Sequence, residues 1–194
     1  MSTESLAVPH LAQFARDYKS RLSQAVETID LEAVSRAIQL IEKTRDENRH
    51  IFVCGNGGSA STASHFVTDM VKGASFGRDS RFRIMALTDS MATITAYSND
   101  VSYDCVFLEQ LKNFAGAGDL VIAISGSGNS PNVVNAIEYA NKTGCHTIAL
   151  TGRDGGKLGA AAELEIRVKS DHMGRIEDGH LIVCHMICYY FMEN

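Results

Sequence analysis

The sequence of 194 residues lacks several features that would assign it to a specialised class of protein. It has no run of basic residues and a formal net charge of -5, so binding to nucleic acid or another polyanion is not expected. It has no internal repeat, low-complexity tract or linker. The longest apolar stretch near its end, "HLIVCHMICYYFMEN", is too short to span a bilayer and predicts a buried helix. No membrane partner is therefore expected.

Signals for export and for disulfide bonding are also missing. The first twenty residues lack a basic segment followed by an apolar core, which a secretory signal would show. The five cysteines are odd in number and no two have C-x-x-C spacing, which argues against a disulfide framework or a zinc ribbon. We expect buried, reduced thiols in a cytoplasmic protein.

Short apolar runs alternate with helical patterns from residue 51 onward. The runs lie at 51–54, 84–87, 120–124, 147–150 and 164–168. This alternation predicts an α/β fold, with a parallel sheet covered by helices on both faces. The length suits a single domain spanning residues 1–194. In such sheets, ligands bind beyond the carboxyl ends of the strands.

Two helices are predicted in residues 1–50, before the α/β core of residues 51–194. In the first helix, apolar residues recur at spacings of three and four, namely Leu11, Phe14, Tyr18, Leu22 and Val26. The second begins at Leu31, with Asp30 as its N-cap, and runs towards Arg45. The pattern shows that one face of the hairpin is buried. It leaves open whether that face covers the protomer's own sheet or forms a subunit interface.

Two loops of small residues follow predicted strands, "CGNGGSA" at 54–60 and "SGSGNSP" at 125–131. In the second loop Ser130 suits an N-cap and Pro131 the first helical position. The free N–H groups of that helix end, three serine hydroxyls and flexible glycines together predict a phosphate site.

The first loop allows a second interpretation. Gly55 to Ala60 fits the loose G-x-G-x-x-A dinucleotide fingerprint, but the acidic residue that this motif requires lies too far along, at Asp89. A sugar phosphate uses both loops more naturally, because one loop can hold its hydroxyls and the other its phosphate. A third stretch, "TGRDGGK", is not a P-loop, since Leu158 replaces the required Ser or Thr.

Three segments carry a family resemblance: "CGNGGSASTASHF", "ISGSGNSPNVV" and "ALTGRDGGKLGAAAELEIRV". They resemble the SIS (sugar isomerase) domain family, most closely the phosphoheptose isomerases, with the bacterial replication-initiator-associating protein nearby. The resemblance implies a flavodoxin-like three-layer sandwich with a five-stranded parallel sheet. It also implies a homotetramer with active sites at subunit interfaces. The phosphosugar-binding residues that it implies are Asn56, Gly57, Gly58, Ser59, Asn99, Asp100, Ser125, Gly126, Ser127 and Ser130.

His65 and Asp69 lie four residues apart on the helix after the first loop. That spacing can bind a metal ion or pair a base with the group that orients it, although surface pairs of this kind are common. The resemblance makes His65 a zinc ligand and His185 both a zinc ligand and a proton-transfer residue. It places the catalytic base at Asp69, and at Glu177 a residue that contacts metal and substrate.

The chain departs from the family pattern at these positions. Asp69 stands where the family has glutamate, Glu177 where it has glutamine, and Gly73 where it often has arginine. The predicted metal site of His65, Asp69, Glu177 and His185 suits one zinc or another divalent ion per site. A regular helix separates Glu177 and His185 by about 12 Å, so Glu177 would need a bent turn, with Asp178 as the alternative.

The resemblance predicts an aldose–ketose isomerase that converts sedoheptulose 7-phosphate to D-glycero-D-manno-heptose 7-phosphate through an enediolate. In that hypothesis Asp69 is the base on one carbon and His185 the acid/base on the next. The alternative is a non-catalytic phosphosugar-binding scaffold that binds the replication initiator. A nicotinamide-dependent oxidoreductase rests only on the glycine fingerprint.

Overall fold

The computed structural model describes residues 8–194, which form a three-layer α/β sandwich. Its five strands are all parallel and lie in the order β2-β1-β3-β4-β5. The strands are β1 (His50–Gly55), β2 (Arg83–Ala86), β3 (Leu120–Ser125), β4 (His146–Gly152) and β5 (Leu164–Val168). Each coincides with a predicted apolar run, and the parallel sheet is confirmed. A continuous apolar run suits a strand that is buried on both faces.

Helices cover both faces of the sheet. Along the chain they are α1 (Val8–Val26), α2 (Leu31–Asp46), α3 (Gly58–Thr68), α4 (Met91–Asp100), α5 (Val106–Phe114), α6 (Pro131–Lys142), α7 (Gly156–Ala161) and α8 (Met173–Glu193). The core on one face contains Ile41 of α2, Phe66 of α3 and Val183 of α8. The core on the other face contains Phe107 of α5 and Ile137 of α6. The sheet is thus shielded from water on both sides, as a parallel sheet requires.

The direction in which successive strands are added to the sheet reverses between β1 and β3. From β1 the chain moves outward to β2, then returns to β3 and continues to β4 and β5. The loops after β1 and β3 therefore turn to opposite faces and leave a crevice at the carboxyl end of the sheet. Both glycine-rich loops border this crevice.

The N-terminal hairpin covers part of the protomer's own sheet, one of its two predicted roles; the subunit interface stays a prediction. Asp30 caps α2 by accepting hydrogen bonds from Glu32 N (2.9 Å) and Ala33 N (3.2 Å), which confirms the predicted helix start. Helix α2 packs on the sheet and α1 packs against α8. However, Leu11 and Phe14 of α1 are exposed, so the face predicted to be buried is open over this half of the helix. Residues 1–7 of the predicted hairpin lie outside the described residues.

The cysteines are unpaired, and all except Cys105 are buried. The C-terminal helix is buried along one face only, because Tyr189 and Tyr190 lie exposed on the other. Within residues 8–194, every helix is too short or too polar to cross a lipid bilayer.

Candidate active site

The loop after β3 presents hydroxyl groups beside a helix N-terminus. Ser130 has the extended conformation of an N-cap and Pro131 begins α6, as predicted. The Ser130 side chain caps no backbone N–H; its Oγ lies 3.4 Å from Oγ of Ser125. These hydroxyls and the partial positive charge of the helix end remain for a ligand.

The "TGRDGGK" stretch supports this loop from behind. Leu158 N donates to Gly128 O (2.9 Å) and Lys157 N donates to Asn129 Oδ1 (3.2 Å). Gly128 has φ +65, and a Cβ there would lie 2.0 Å from Gly155 O. A side chain at position 128 would therefore be strained and would also push the two loops apart.

The loop after β1 meets the first turns of α8. Gly57 has φ +55, and Gly58 begins α3. A Cβ on Gly58 would lie 2.9 Å from Glu177 Oε1, so the Glu177 carboxylate lies directly against the N-terminus of α3. A negative charge is stabilised at this end of a helix.

Both loops and the start of α8 line one cavity of about 270 Å³. Its lining residues are Asn56, Gly57, Gly58, Ser59, Ile124, Ser125, Gly126, Ser127, Ser130, Met173 and Glu177. Glu177 is the one charged side chain among them. The serine loop is thus the end of the cavity that suits an anion, because Glu177 repels negative charge from the glycine loop.

Three titratable side chains meet between the same two helices. His65 Nε2 lies 3.0 Å from His185 Nε2 and 3.3 Å from Asp69 Oδ2. His185 Nε2 lies 3.8 Å from the same carboxylate oxygen. His65 follows Gly58 by seven residues and His185 follows Glu177 by eight, so the cluster lies about 10–12 Å along α3 and α8 from the cavity.

A profile of the SIS domain matches residues 13–152 of this chain. The chain belongs to the SIS domain family. It is 42% identical over 156 residues to the phosphoheptose isomerase of Citrifermentans bemidjiense, covering 80% of this chain and 81% of that protein. The structure of phosphoheptose isomerase GmhA from Neisseria gonorrhoeae superposes with a TM-score of 0.87 at 32% identity, covering 97% of this chain and 100% of that one. A phosphoheptose isomerase from Francisella tularensis gives a TM-score of 0.87 at 27% identity, covering 95% of this chain and 99% of that one.

Within this SIS domain, Asp69 lies at a break in the regular helix. It begins a π-helical turn, Asp69–Gly73, in which Ala74 N donates to Asp69 O at 2.9 Å. Such turns are frequent at functional sites. The turn packs on α8, because a Cβ at Gly73 would lie 2.2 Å from Cε of Met192. An arginine at position 73 would thus displace Met192.

The chemistry and spacing of the cluster fit a divalent ion. Two imidazoles and one carboxylate are common zinc ligands. Zn–N distances of about 2.0–2.1 Å around a tetrahedral ion separate neighbouring ligand atoms by about 3.3 Å. The three separations of 3.0, 3.3 and 3.8 Å lie around this value. Burial raises the pKa of the adjacent Cys184 to about 12, and this buried thiol is not one of the three side chains that converge on the cluster.

The structure does not bring Glu177 into this cluster. Helix α8 is continuous from Met173 to Glu193, so the bent turn that a shared ion would require at Glu177 is not present. Asp178 is engaged elsewhere, because it accepts a hydrogen bond from Tyr18 Oη at 2.6 Å. Within one protomer, Glu177 belongs to the cavity, and its role as a metal ligand stays a prediction.

Asn99 and Asp100 are also separate from the cavity in one protomer. They are exposed at the end of α4, where Asn99 Nδ2 donates to Asp100 Oδ1 at 2.7 Å. Their assignment to the substrate stays a prediction from the resemblance.

Two residues that hydrogen-bond to Asn56 of the cavity wall were not found from the sequence. Asn132 exchanges two hydrogen bonds with Asn56, and Tyr103 Oη donates to the same asparagine. Asn132 lies within a quoted motif, but nothing in the pattern distinguishes it from an ordinary residue of the helix. Tyr103 lies in a short 3-10 helix, Tyr103–Cys105, and carries no signal in the sequence.

Proposed function

We propose that this SIS domain is an aldose–ketose isomerase of the phosphoheptose type, which converts sedoheptulose 7-phosphate to D-glycero-D-manno-heptose 7-phosphate. One observation carries the proposal: a cavity suited to an anionic sugar and a cluster of His65, Asp69 and His185 lie along the same two helices. Relatives and solved structures that carry the name phosphoheptose isomerase support it.

The cavity gives the substrate a direction. The phosphate binds at the loop of Ser125 and Ser130, where hydroxyls and the N-terminus of α6 meet. The sugar hydroxyls contact Asn56 and Glu177 at the other loop. A carboxylate accepts hydrogen bonds from hydroxyl groups and repels a phosphate, which favours this orientation over the reverse.

The cluster supplies the proton transfers. Asp69 Oδ2 faces both imidazoles, which leaves Oδ1 to take the proton from C1 of the ketose. The electron pair forms the C1=C2 enediolate, and His185 returns a proton to C2. One hydroxyl proton moves from O1 to O2, so the product is an isomer with no net gain or loss. An acid and a base in reach of adjacent carbons are what this reaction requires.

We also propose one zinc or other divalent ion per site, with His65, Asp69 and His185 as ligands; Glu177, which the resemblance adds to this set, lies outside the cluster within one protomer. When bound, the ion would polarise the substrate carbonyl as a Lewis acid. A ligand needs the lone pair at Nε2 of His185, whereas an acid needs a proton on the ring. Elemental analysis of a His185→Asn variant separates these roles, since loss of the ion is expected only from a ligand.

The direct test is incubation of the purified protein with sedoheptulose 7-phosphate, with and without added zinc, and detection of the aldose by NMR. We expect product from the wild type and a 10²- to 10⁴-fold lower rate from Asp69→Asn, the typical contribution of a general base. If the wild type forms no aldose in either condition, the isomerase proposal fails. Co-purification with a replication initiator would then favour the scaffold.

A cytoplasmic location and a homotetramer complete the proposal. The unpaired cysteines fit a reducing compartment. The half-exposed imidazoles of His65 (49%) and His185 (41%) fit a site that a neighbouring subunit completes.

A further inference from the structure

We propose that Asn132 is a positioning residue that holds the side chain of Asn56 in the geometry for binding the sugar; this rests on the proposed function. Asn132 is on the first turn of α6, and its side chain is buried, with 1% of its surface exposed. Asn56 is on the loop after β1, 76 residues earlier in the chain, and lines the cavity. The contact therefore joins the two loops that hold the ligand.

The two amides form a reciprocal pair. Asn56 Nδ2 donates to Asn132 Oδ1 at 2.8 Å, and Asn132 Nδ2 donates to Asn56 Oδ1 at 3.0 Å. Rotation of either side chain would break both bonds, and the buried amide of Asn132 would be left without water to replace its partner. Asn132 thus restrains Asn56 more strongly than a single hydrogen bond would.

Tyr103 completes the arrangement from the other side. Its Oη donates to Asn56 Oδ1 at 2.8 Å, so this oxygen accepts from both Asn132 and Tyr103. An amide oxygen has two lone pairs, and both are now used. The Nδ2 group has two hydrogens, and Asn132 takes one of them. Asn56 therefore offers a ligand one N–H donor and no acceptor.

The hydrogen bonds already made by Asn56 define what it can bind. Its free N–H can donate to an oxygen of the sugar or of the phosphate, but the residue cannot accept from a sugar hydroxyl. The neighbouring Glu177 carboxylate is an acceptor only. The glycine loop thus presents one fixed donor next to one fixed acceptor, a pairing that suits a hydroxylated chain. Asn132 contributes by keeping the donor in place.

The experiment is a double-mutant cycle in KM and kcat for sedoheptulose 7-phosphate, with Asn56→Ala, Asn132→Ala and the double variant. We expect each single variant to raise KM about tenfold with little change in kcat, since a uniform binding contact is lost. When Asn56 is already replaced by Ala, the further substitution Asn132→Ala should leave KM almost unchanged. The same cycle in Kd, by calorimetry, checks that KM reports binding.

Asn141→Ala is the matched control. Asn141 is on the same helix and makes two side-chain hydrogen bonds, to Ala161 O and from Thr147 Oγ1, but it lies at the far end from the cavity. It should lower the melting temperature without changing KM. If Asn132→Ala behaves like this control, or raises KM equally in both backgrounds, the inference is wrong while the isomerase proposal stands. A wild type that neither binds nor converts the sugar phosphate would overturn both.

Discussion

The charge of Glu177 is the residue-scale feature that most distinguishes this cavity. It faces loops whose backbone N–H groups and hydroxyls favour an anion, yet it is itself an anion at the edge of the same space. Its position against Gly58 gives it partial compensation from the N-terminus of α3. A phosphate at the serine loop still experiences its repulsion, reduced by solvent.

Glu177→Gln should therefore tighten binding of inorganic phosphate about threefold to tenfold, because the substitution keeps the shape and removes the charge. The gain should shrink as salt is raised, since the repulsion is screened. Calorimetric titration with phosphate measures both effects. Asp178→Asn is the control: it removes a charge from the next residue, which faces Tyr18. An equal gain in the two variants would show that only net charge matters.

His180 makes stability depend on pH. It is 1% exposed; its Nε2 lies 2.9 Å from Thr151 O, and its Nδ1 has no partner among the described residues. Burial lowers its pKa to about 4, partly opposed by the hydrogen bond to Thr151. An unfolded histidine has a pKa of about 6.5. The unfolded chain therefore binds the extra proton first, and stability falls as pH drops from about 6.5 towards 4.

At pH 5 this effect should cost the wild type about 2 kcal/mol relative to pH 7.5, at about 1.4 kcal/mol per pH unit below 6.5. His180→Gln retains a donor for Thr151 O but cannot titrate. Urea unfolding at both pH values should show that the variant loses about 2 kcal/mol less than the wild type. Equal losses in the two proteins would mean that protonation of His180 is not responsible.

At the scale of elements, the binding loop is held by a neighbouring loop as well as by its own strand and helix. Gly128 lies where the chain from β3 to α6 touches the chain from β4 to α7. Because the two loops approach so closely here, the residue at position 128 must have a left-handed φ and must lack a Cβ. The "TGRDGGK" stretch, which is not a P-loop, therefore supports the serine loop.

Gly128→Ala should raise KM for the sugar phosphate about tenfold or more and lower the melting temperature, because its Cβ would meet Gly155 O at 2.0 Å. Gly77→Ala is the matched control: Gly77 has φ +75, but a Cβ there would have no atom within 4 Å. Both variants incur backbone strain of about 1–2 kcal/mol. Only Gly128→Ala should also change KM, and equal KM values would refute the supporting role of this contact.

Local patterns predicted the elements well, and contacts between distant residues poorly. The strands were predictable because burial on both faces leaves continuous apolar runs. Helix α6 was predictable from Ser130 and Pro131, since capping depends on adjacent residues. The approach of His185 to His65, 120 residues earlier, came from family resemblance alone. The π-helical turn and the pairing of Asn132 had no local signal, because each depends on packing between separate elements.

For the whole molecule, the described protomer leaves apolar side chains of α1 and most of α4 exposed to solvent. Leu11 and Phe14 are 63% and 69% exposed on α1, and α4 contains no buried residue. Large exposed apolar patches mark association surfaces. A closed symmetric assembly would cover them and would explain why Leu11 and Phe14 of the predicted apolar face are exposed within one chain, whereas Tyr18 of the same face packs against α8.

We expect light scattering to show a tetramer for the wild type, and Phe14→Asp to shift it to smaller species, since a carboxylate in an apolar interface is costly. Ser20→Asp is the control, because it adds the same charge on the opposite side of α1. Circular dichroism should show the same helix content in all three proteins. If assembly also completes the site, Phe14→Asp should lose isomerase activity in proportion to dissociation. A monomeric wild type, or an unchanged mass in Phe14→Asp, would instead leave the exposed face of α1 without this role.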